Sequence, residues 1–172
     1  MPSRRNIIVG GATLAAAGAV AGGAALMRGP ALVTSAQPDG PPVSLPPEEW
    51  ADRLTPAEYA VLREEETEPP YSSPLNDFWE AGTYICAGCA NPVYASQHKY
   101  ESGTGWPSFW RAISPAAIGT RVDYKLVFPR TEVHCARCGG HFGHIFEDGP
   151  SPTGLRHCLN GIALDFVPSE TA

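Results

Sequence analysis

The sequence predicts one mainly β, antiparallel domain that carries a short helix at its start and a structural metal site. Three observations predict it. From Tyr71 onward, short β-rich pieces alternate with Gly, Pro, Asn and Ser. Helix-start chemistry occurs near Thr55, and no other helix-period pattern of any length follows. Two CxxC pairs with 45 residues between them supply four thiolates, enough for one tetrahedral metal. At 172 residues with 43% hydrophobic side chains, the chain is long enough for one ordinary domain and short of two.

The chain opens with Ser3-Arg4-Arg5-Asn6 ahead of an uncharged, Ala- and Gly-rich run from Ile7 to Leu26. A charged segment before an apolar one is the pattern of an export signal. Paired arginines and a glycine-diluted apolar run resemble the twin-arginine type, which carries folded proteins. Residues 1–36 are therefore expected to be an export signal, cleaved around Ser35-Ala36, that sends the protein to the periplasm or another extracytoplasmic space. A general-secretion signal and a retained membrane anchor are the competing readings. Arg4, Arg5 and Arg28 are the only charges in this segment, which leaves nine basic against eighteen acidic residues in the rest. So acidic a body argues against nucleic acid and anionic membrane surfaces as partners.

Residues 37–47 are rich in Pro and Gly and read as an extended linker, so 48–172 is the single folded domain. Thr55-Pro56-Ala57-Glu58 combines an N-cap, a proline at the first helical position and a Glu three residues after the cap. A helix is expected from there to about Glu66, stopped by Glu68-Pro69-Pro70. Strands are expected over 83–86, 92–95, 121–128, 132–135 and 156–167. The 121–128 piece alternates and then turns apolar, as a strand entering a core would.

Cys86-Ala87-Gly88-Cys89 and Cys135-Ala136-Arg137-Cys138 each read as a knuckle, and together they place four sulfurs around one tetrahedral Zn²⁺. A four-sulfur shell has no open position, so the zinc is structural. Two disulfides, or one redox-active pair, form the competing reading in an oxidising compartment. Folding before export resolves that tension, because zinc captured by reduced thiolates shields them afterwards. His141 also has usable ligand spacing after Cys138, but four cysteines suffice.

Cys158 is the remaining thiol, near the start of Arg156-His157-Cys158-Leu159-Asn160. Strand alternation puts Arg156, Cys158 and Asn160 on one face and His157 on the other. The adjacent histidine is thus excluded as the base, while Arg156 and the Asn160 amide favour thiolate, the nucleophilic form. A lone cysteine is by itself more often an inert core residue. Upstream, His141 and His144 on a glycine-loosened segment supply candidate proton donors. Gly103-Thr104-Gly105-Trp106-Pro107-Ser108-Phe109-Trp110 supplies an aromatic wall for a small apolar group.

Taken in order, CxGC, SGTGWPSFW, CxxCGGHFGHIFEDGP and RHCLN resemble the B-type methionine sulfoxide reductases over about Leu54 to Val167. The resemblance implies a tent-like pair of antiparallel sheets with a cysteine-bound zinc far from the reaction centre. It implies reduction of methionine-R-sulfoxide in proteins and peptides: Cys158 attacks the sulfoxide sulfur and becomes a sulfenic acid. During that attack His144 and His141, with Asn160, bind or protonate the sulfoxide oxygen, and Trp106 holds the sulfur-bound methyl group. Arg156 and Asp148 would support the site from behind. Where many members have a resolving cysteine this chain has Thr104, so the expected reductant is an external, thioredoxin-like thiol. Gly161 stands where the family usually has Ser, and His157 where it usually has another aromatic. The protein is expected to act as a monomer. A zinc-stapled peptide-binding module and a one-cysteine peroxide-reactive protein are the alternative functions.

Overall fold

The computed structural model describes residues 40–169, so the expected export signal and the first part of the linker lie outside the described residues. Among the described residues no helix is long and apolar enough to cross a membrane. Pro46-Pro47 opens α1 (Pro47–Arg53), a seven-residue helix with one buried side chain, Trp50. One buried residue makes no periodic pattern, which is why this helix was not expected. Thr55 then caps α2 (Pro56–Glu64) with the full capping box: its hydroxyl accepts from the Glu58 amide, and the Glu58 carboxylate accepts from the Thr55 amide. Glu65 ends α2 in the left-handed conformation, and Val61 and Leu62 face inward.

Among the described residues nine strands follow: β1 (Gly82–Cys86), β2 (Pro92–Ala95), β3 (Lys99–Tyr100), β4 (Ser108–Phe109), β5 (Ile118–Asp123), β6 (Arg130–Cys135), β7 (His141–Phe146), β8 (Arg156–Leu159) and β9 (Leu164–Pro168). They form two antiparallel sheets, one ordered β2-β1-β9 and one ordered β3-β4-β8-β7-β6-β5. One apolar cluster joins both sheets and both helices, with Trp50, Leu62, Tyr84, Tyr94, Phe109, Phe142 and Leu159 at its centre.

Three sequence expectations are corrected here. The piece expected as one strand over 156–167 is two strands in different sheets. A 3-10 turn at Gly161–Ala163 separates them, because the Gly161 and Ile162 amides donate to the Glu68 carboxylate at 2.6 and 3.1 Å instead of continuing the ladder. The 121–128 piece does not enter the core. Its strand ends at Asp123, whose carboxylate accepts from the Lys125 amide at 2.7 Å and turns the chain, leaving residues 124–128 exposed. The glycine-loosened segment that carries both histidines is β7, a strand with a bulge.

Candidate active site and metal centre

Transverse pairing sets the site. Across five strands of the larger sheet, Ser108, Cys158, His144, Glu132 and Arg121 stand directly opposite one another in a row. Opposed residues on antiparallel strands share a face, so Cys158 and His144 point to the same side. Cys158 and Arg156 are half-buried on that side, whereas His157 and Leu159 are buried on the other. His157 is held there by Tyr94, whose hydroxyl lies 3.0 Å from its Nδ1. The structure thus bears out the separation of His157 from the thiol.

Cys158 opens into a cavity of ≈ 140 Å³ whose wall also includes Trp106, His144, Asn160, Arg130 and Phe146. Trp106 is anchored by an indole N–H donating to the Glu68 carbonyl at 3.1 Å. A larger cavity, ≈ 610 Å³, lies between α2 and the 161–166 segment, but neither a thiol nor an imidazole lines it. Chemistry and size therefore separate, and the smaller cavity is the candidate active site.

The bulge in β7 decides where the histidines go. Glu132 opposes His144, but two residues later the pairing slips and His134 opposes His141. That slip turns Phe142 into the core and leaves His141 and His144 facing each other, with ring centroids 5.4 Å apart. Only His144 lines the cavity. His144 Nε2 donates to the Asp123 carboxylate at 2.7 Å, and Arg130 holds the same oxygen at 2.6 Å. Burial lowers the His144 pKa, and the bond to Asp123 opposes that fall. The Lys125 amide, His144 and Arg130 in turn hold Asp123 well below the usual carboxylate range. His141 is 2% exposed, its Nδ1 donates to Glu132 at 2.8 Å, and its Nε2 has no partner among the described residues.

Asn160 is nearly buried and largely engaged. Its Oδ1 accepts from the Glu68 amide at 2.9 Å, and its Nδ2 donates to the Phe142 carbonyl at 3.0 Å, which leaves one amide hydrogen unspent. Arg156 makes a two-bond fork with Asp148 at 2.9 and 2.8 Å and lies over the Phe146 ring. Its pKa is raised, chiefly by the bond to Asp148, against the opposing effect of burial. The Thr104 hydroxyl lies 3.8 Å from the Cys158 sulfur, at the end of a chain through Ser102 to Ser108 with links of 2.8 and 2.7 Å. Gly161 leaves no gap, because Ser73 occupies the space where a Cβ would project.

Sequence reasoning missed Asp123, Glu132, Arg130 and Phe146. Alternation on one face of 121–123 and a single acidic residue within the 132–135 strand piece were the available signals. Neither reveals its partner until the strands are paired.

The four remaining cysteines meet elsewhere. Cys86 ends β1 and Cys135 ends β6, while Cys89 and Cys138 lie in the turns that follow. Left-handed Ala90 and Gly139 close the two turns, with amides donating to the Cys86 and Cys135 carbonyls at 2.8 and 2.9 Å. All four sulfurs lie within 4.8 Å of one another, and two pairs are 3.6 and 3.5 Å apart. Those gaps rule out disulfides, whose sulfurs sit about 2.05 Å apart. They match a tetrahedral shell, because zinc–sulfur bonds of about 2.3 Å place sulfurs about 3.8 Å apart. The residues therefore fit one metal ion. His141, the alternative ligand, stands outside the group.

Comparison with known proteins agrees with this geometry. The SelR domain family model matches residues 54–168. The peptide methionine sulfoxide reductase MsrB of Agrobacterium fabrum is 44% identical over 128 residues, covering 74% of this chain and 95% of that protein. MsrB of Methanosarcina barkeri is 48% identical over 123 residues, 72% of this chain and 87% of that protein. MsrB of Leifsonia xyli is 48% identical over 124 residues, covering 72% and 89%. With that family model spanning the strands that build both sites, and relatives of such identity aligned along most of their length, the chain belongs to the SelR-domain family of the MsrB peptide methionine sulfoxide reductases.

Proposed function

We propose that this protein reduces methionine-R-sulfoxide in oxidised proteins and peptides to methionine. The observation that carries the reading is a half-buried thiol, Cys158, in a small cavity with His144 directly across the ladder and Trp106 in the wall. The Cys158 thiolate attacks the sulfoxide sulfur, and His144, doubly protonated with its Nε2–H kept on Asp123, gives its Nδ1 proton to the oxygen. His141, held by Glu132, backs His144, and the free Asn160 hydrogen lies on the same wall. Trp106 takes the sulfur-bound methyl. Oxygen passes to Cys158, so the methionine sulfur gains two electrons, the cysteine sulfur loses two, and methionine leaves behind a Cys158 sulfenic acid. Arg156, steadied by its fork to Asp148, stands on the same strand face as Cys158.

Regeneration comes from outside. The Thr104 hydroxyl stands 3.8 Å from the Cys158 sulfur, and the other four cysteines are gathered in the metal cluster. A first external thiol displaces water from the sulfenic acid, and a second releases the Cys158 thiol and a disulfide. The cluster's all-sulfur donor set selects one structural Zn²⁺, which contributes to the fold and not to the reaction. The N-terminal pattern supports export of an already folded, monomeric domain comprising residues 48–172, with the mass of the mature protein as the check.

The test is a stereospecific assay of R and S sulfoxides, free and peptide-bound, with a dithiol reductant. Only the R form should turn over, and Cys158→Ser should abolish turnover. Activity surviving in that variant would sink the proposal.

A further inference from the structure

The hairpin between β5 and β6 ends in Tyr124-Lys125-Leu126-Val127-Phe128, and four of these five side chains are large, apolar and in solvent. Their exposures are 76% for Tyr124, 59% for Leu126, 92% for Val127 and 79% for Phe128. Single exposed apolar residues are ordinary, but four together form a patch. None of the four belongs to the apolar core. Turns elsewhere in such folds favour Gly, Asn, Asp and Ser, so this tip is not explained by turn chemistry.

The base of the hairpin is tied to the candidate active site. Asp123, its first residue, accepts from His144, and Arg130, its last, binds Asp123 and lines the cavity. Lys125, the tip's one charge, is half-exposed and paired with Glu65 at 2.7 Å, so the tip's uncompensated surface is the apolar one. The cavity itself, at ≈ 140 Å³, is well below the roughly 300 Å³ at which sites begin to enclose small-molecule ligands. It therefore takes in little more than one side chain, and the rest of a polypeptide substrate must lie along the rim.

We propose that the 124–128 tip docks the polypeptide on either side of the oxidised methionine and favours extended segments with large apolar neighbours. The inference rests on the reductase reading above and names the part of the substrate that lies outside the cavity. Methionine is a core residue, and its sulfoxide disrupts the core that holds it. The sequence around a methionine released from a core is accordingly apolar, which is the chemistry the tip offers. An anionic membrane surface fits less well, because the chain carries a net charge of −6 and the one tip cation is paired.

The test uses the full chain and the triple variant Leu126→Ser, Val127→Ser, Phe128→Ser, whose altered side chains lie outside the core. Three R-sulfoxide substrates are compared: a peptide with Leu and Phe flanks, the same peptide with Gly and Ser flanks, and capped free methionine sulfoxide. Wild type should favour the apolar flanks about tenfold in kcat/KM, mainly through KM. The variant should lose that preference while turning over the capped amino acid as wild type does. A wild type indifferent to flanks, or a variant that keeps the preference, overturns the inference. So does a variant that keeps it but no longer sediments with anionic vesicles that wild type binds, which would make the tip a membrane contact. Failure of the reductase reading looks different, because wild type would then reduce none of the three.

Discussion

The Thr104 hydroxyl and the Cys158 sulfur stand 3.8 Å apart, within reach of each other but without a second thiol between them. A thiol introduced at that position would condense with the sulfenic acid and release water. Thr104→Cys is therefore expected to form an internal disulfide after one turnover, seen as the loss of two titratable thiols. Wild type should instead yield a sulfenic acid that a dione reagent captures. On the opposite face, burial pulls the His157 pKa down to about 4. The unfolded chain, at about 6.5, binds a proton that the folded chain refuses, so stability is full above the unfolded value and falls as pH drops from 6.5 toward 4. That loss is on the order of 3 kcal/mol. His157→Phe should flatten this dependence, checked by urea midpoints at pH 7 and 4.5. The slope is the readout, because leaving the Tyr94 hydroxyl without its partner shifts the variant at every pH. His157 was legible as a residue pointing away from Cys158, since alternation is local, but its Tyr94 partner, 63 positions earlier, was not.

Strand β7 shows why elements differ in legibility. Its bulge breaks the period-two pattern at Phe142, so the sequence around His141 and His144 reads as loosened loop. The paired structure instead uses the irregularity to aim both rings to one side. Gly143 lies inside the bulge, where an added Cβ would come within 2.1 Å of the Cys158 carbonyl oxygen. Backbone cannot yield there without parting β7 from β8. Gly143→Ala should thus separate His144 from Cys158, with sulfoxide turnover lost and thermal stability lowered, measured on the same preparation. Helix α2 is the opposite case. Its cap, first-turn proline and stop lie within fifteen residues of one another, and no tertiary contact is needed to read them. The split between β8 and β9 depends on Glu68, some 93 residues away, and for that reason the pair looked like one strand.

At the scale of the whole molecule the four-cysteine cluster ties the end of β1 in the smaller sheet to the β6–β7 turn in the larger one, with Trp50 and Leu62 packed near its glycines. Zinc binding of about 10–16 kcal/mol in small peptides matches the total stability of a domain, about 5–15 kcal/mol. Elemental analysis should return one zinc per chain. Stripping the metal with a strong chelator should lower the urea midpoint sharply, and Cys135→Ser should fail to accumulate as folded protein. The sequence by itself determined the family, the division of five cysteines into four and one, the capped helix and the face that Cys158 shares with Arg156. Each of these rests on spacing or periodicity within a few residues, or on motifs written out in order. Tertiary structure alone decided that His144 lines the cavity while His141 stands behind it, that Asp123 and Glu132 hold the two rings, and that the 124–128 apolar run faces solvent. Those outcomes depend on strand register and on hydrogen bonds between residues distant in the chain, and a one-residue slip in pairing would have reversed them.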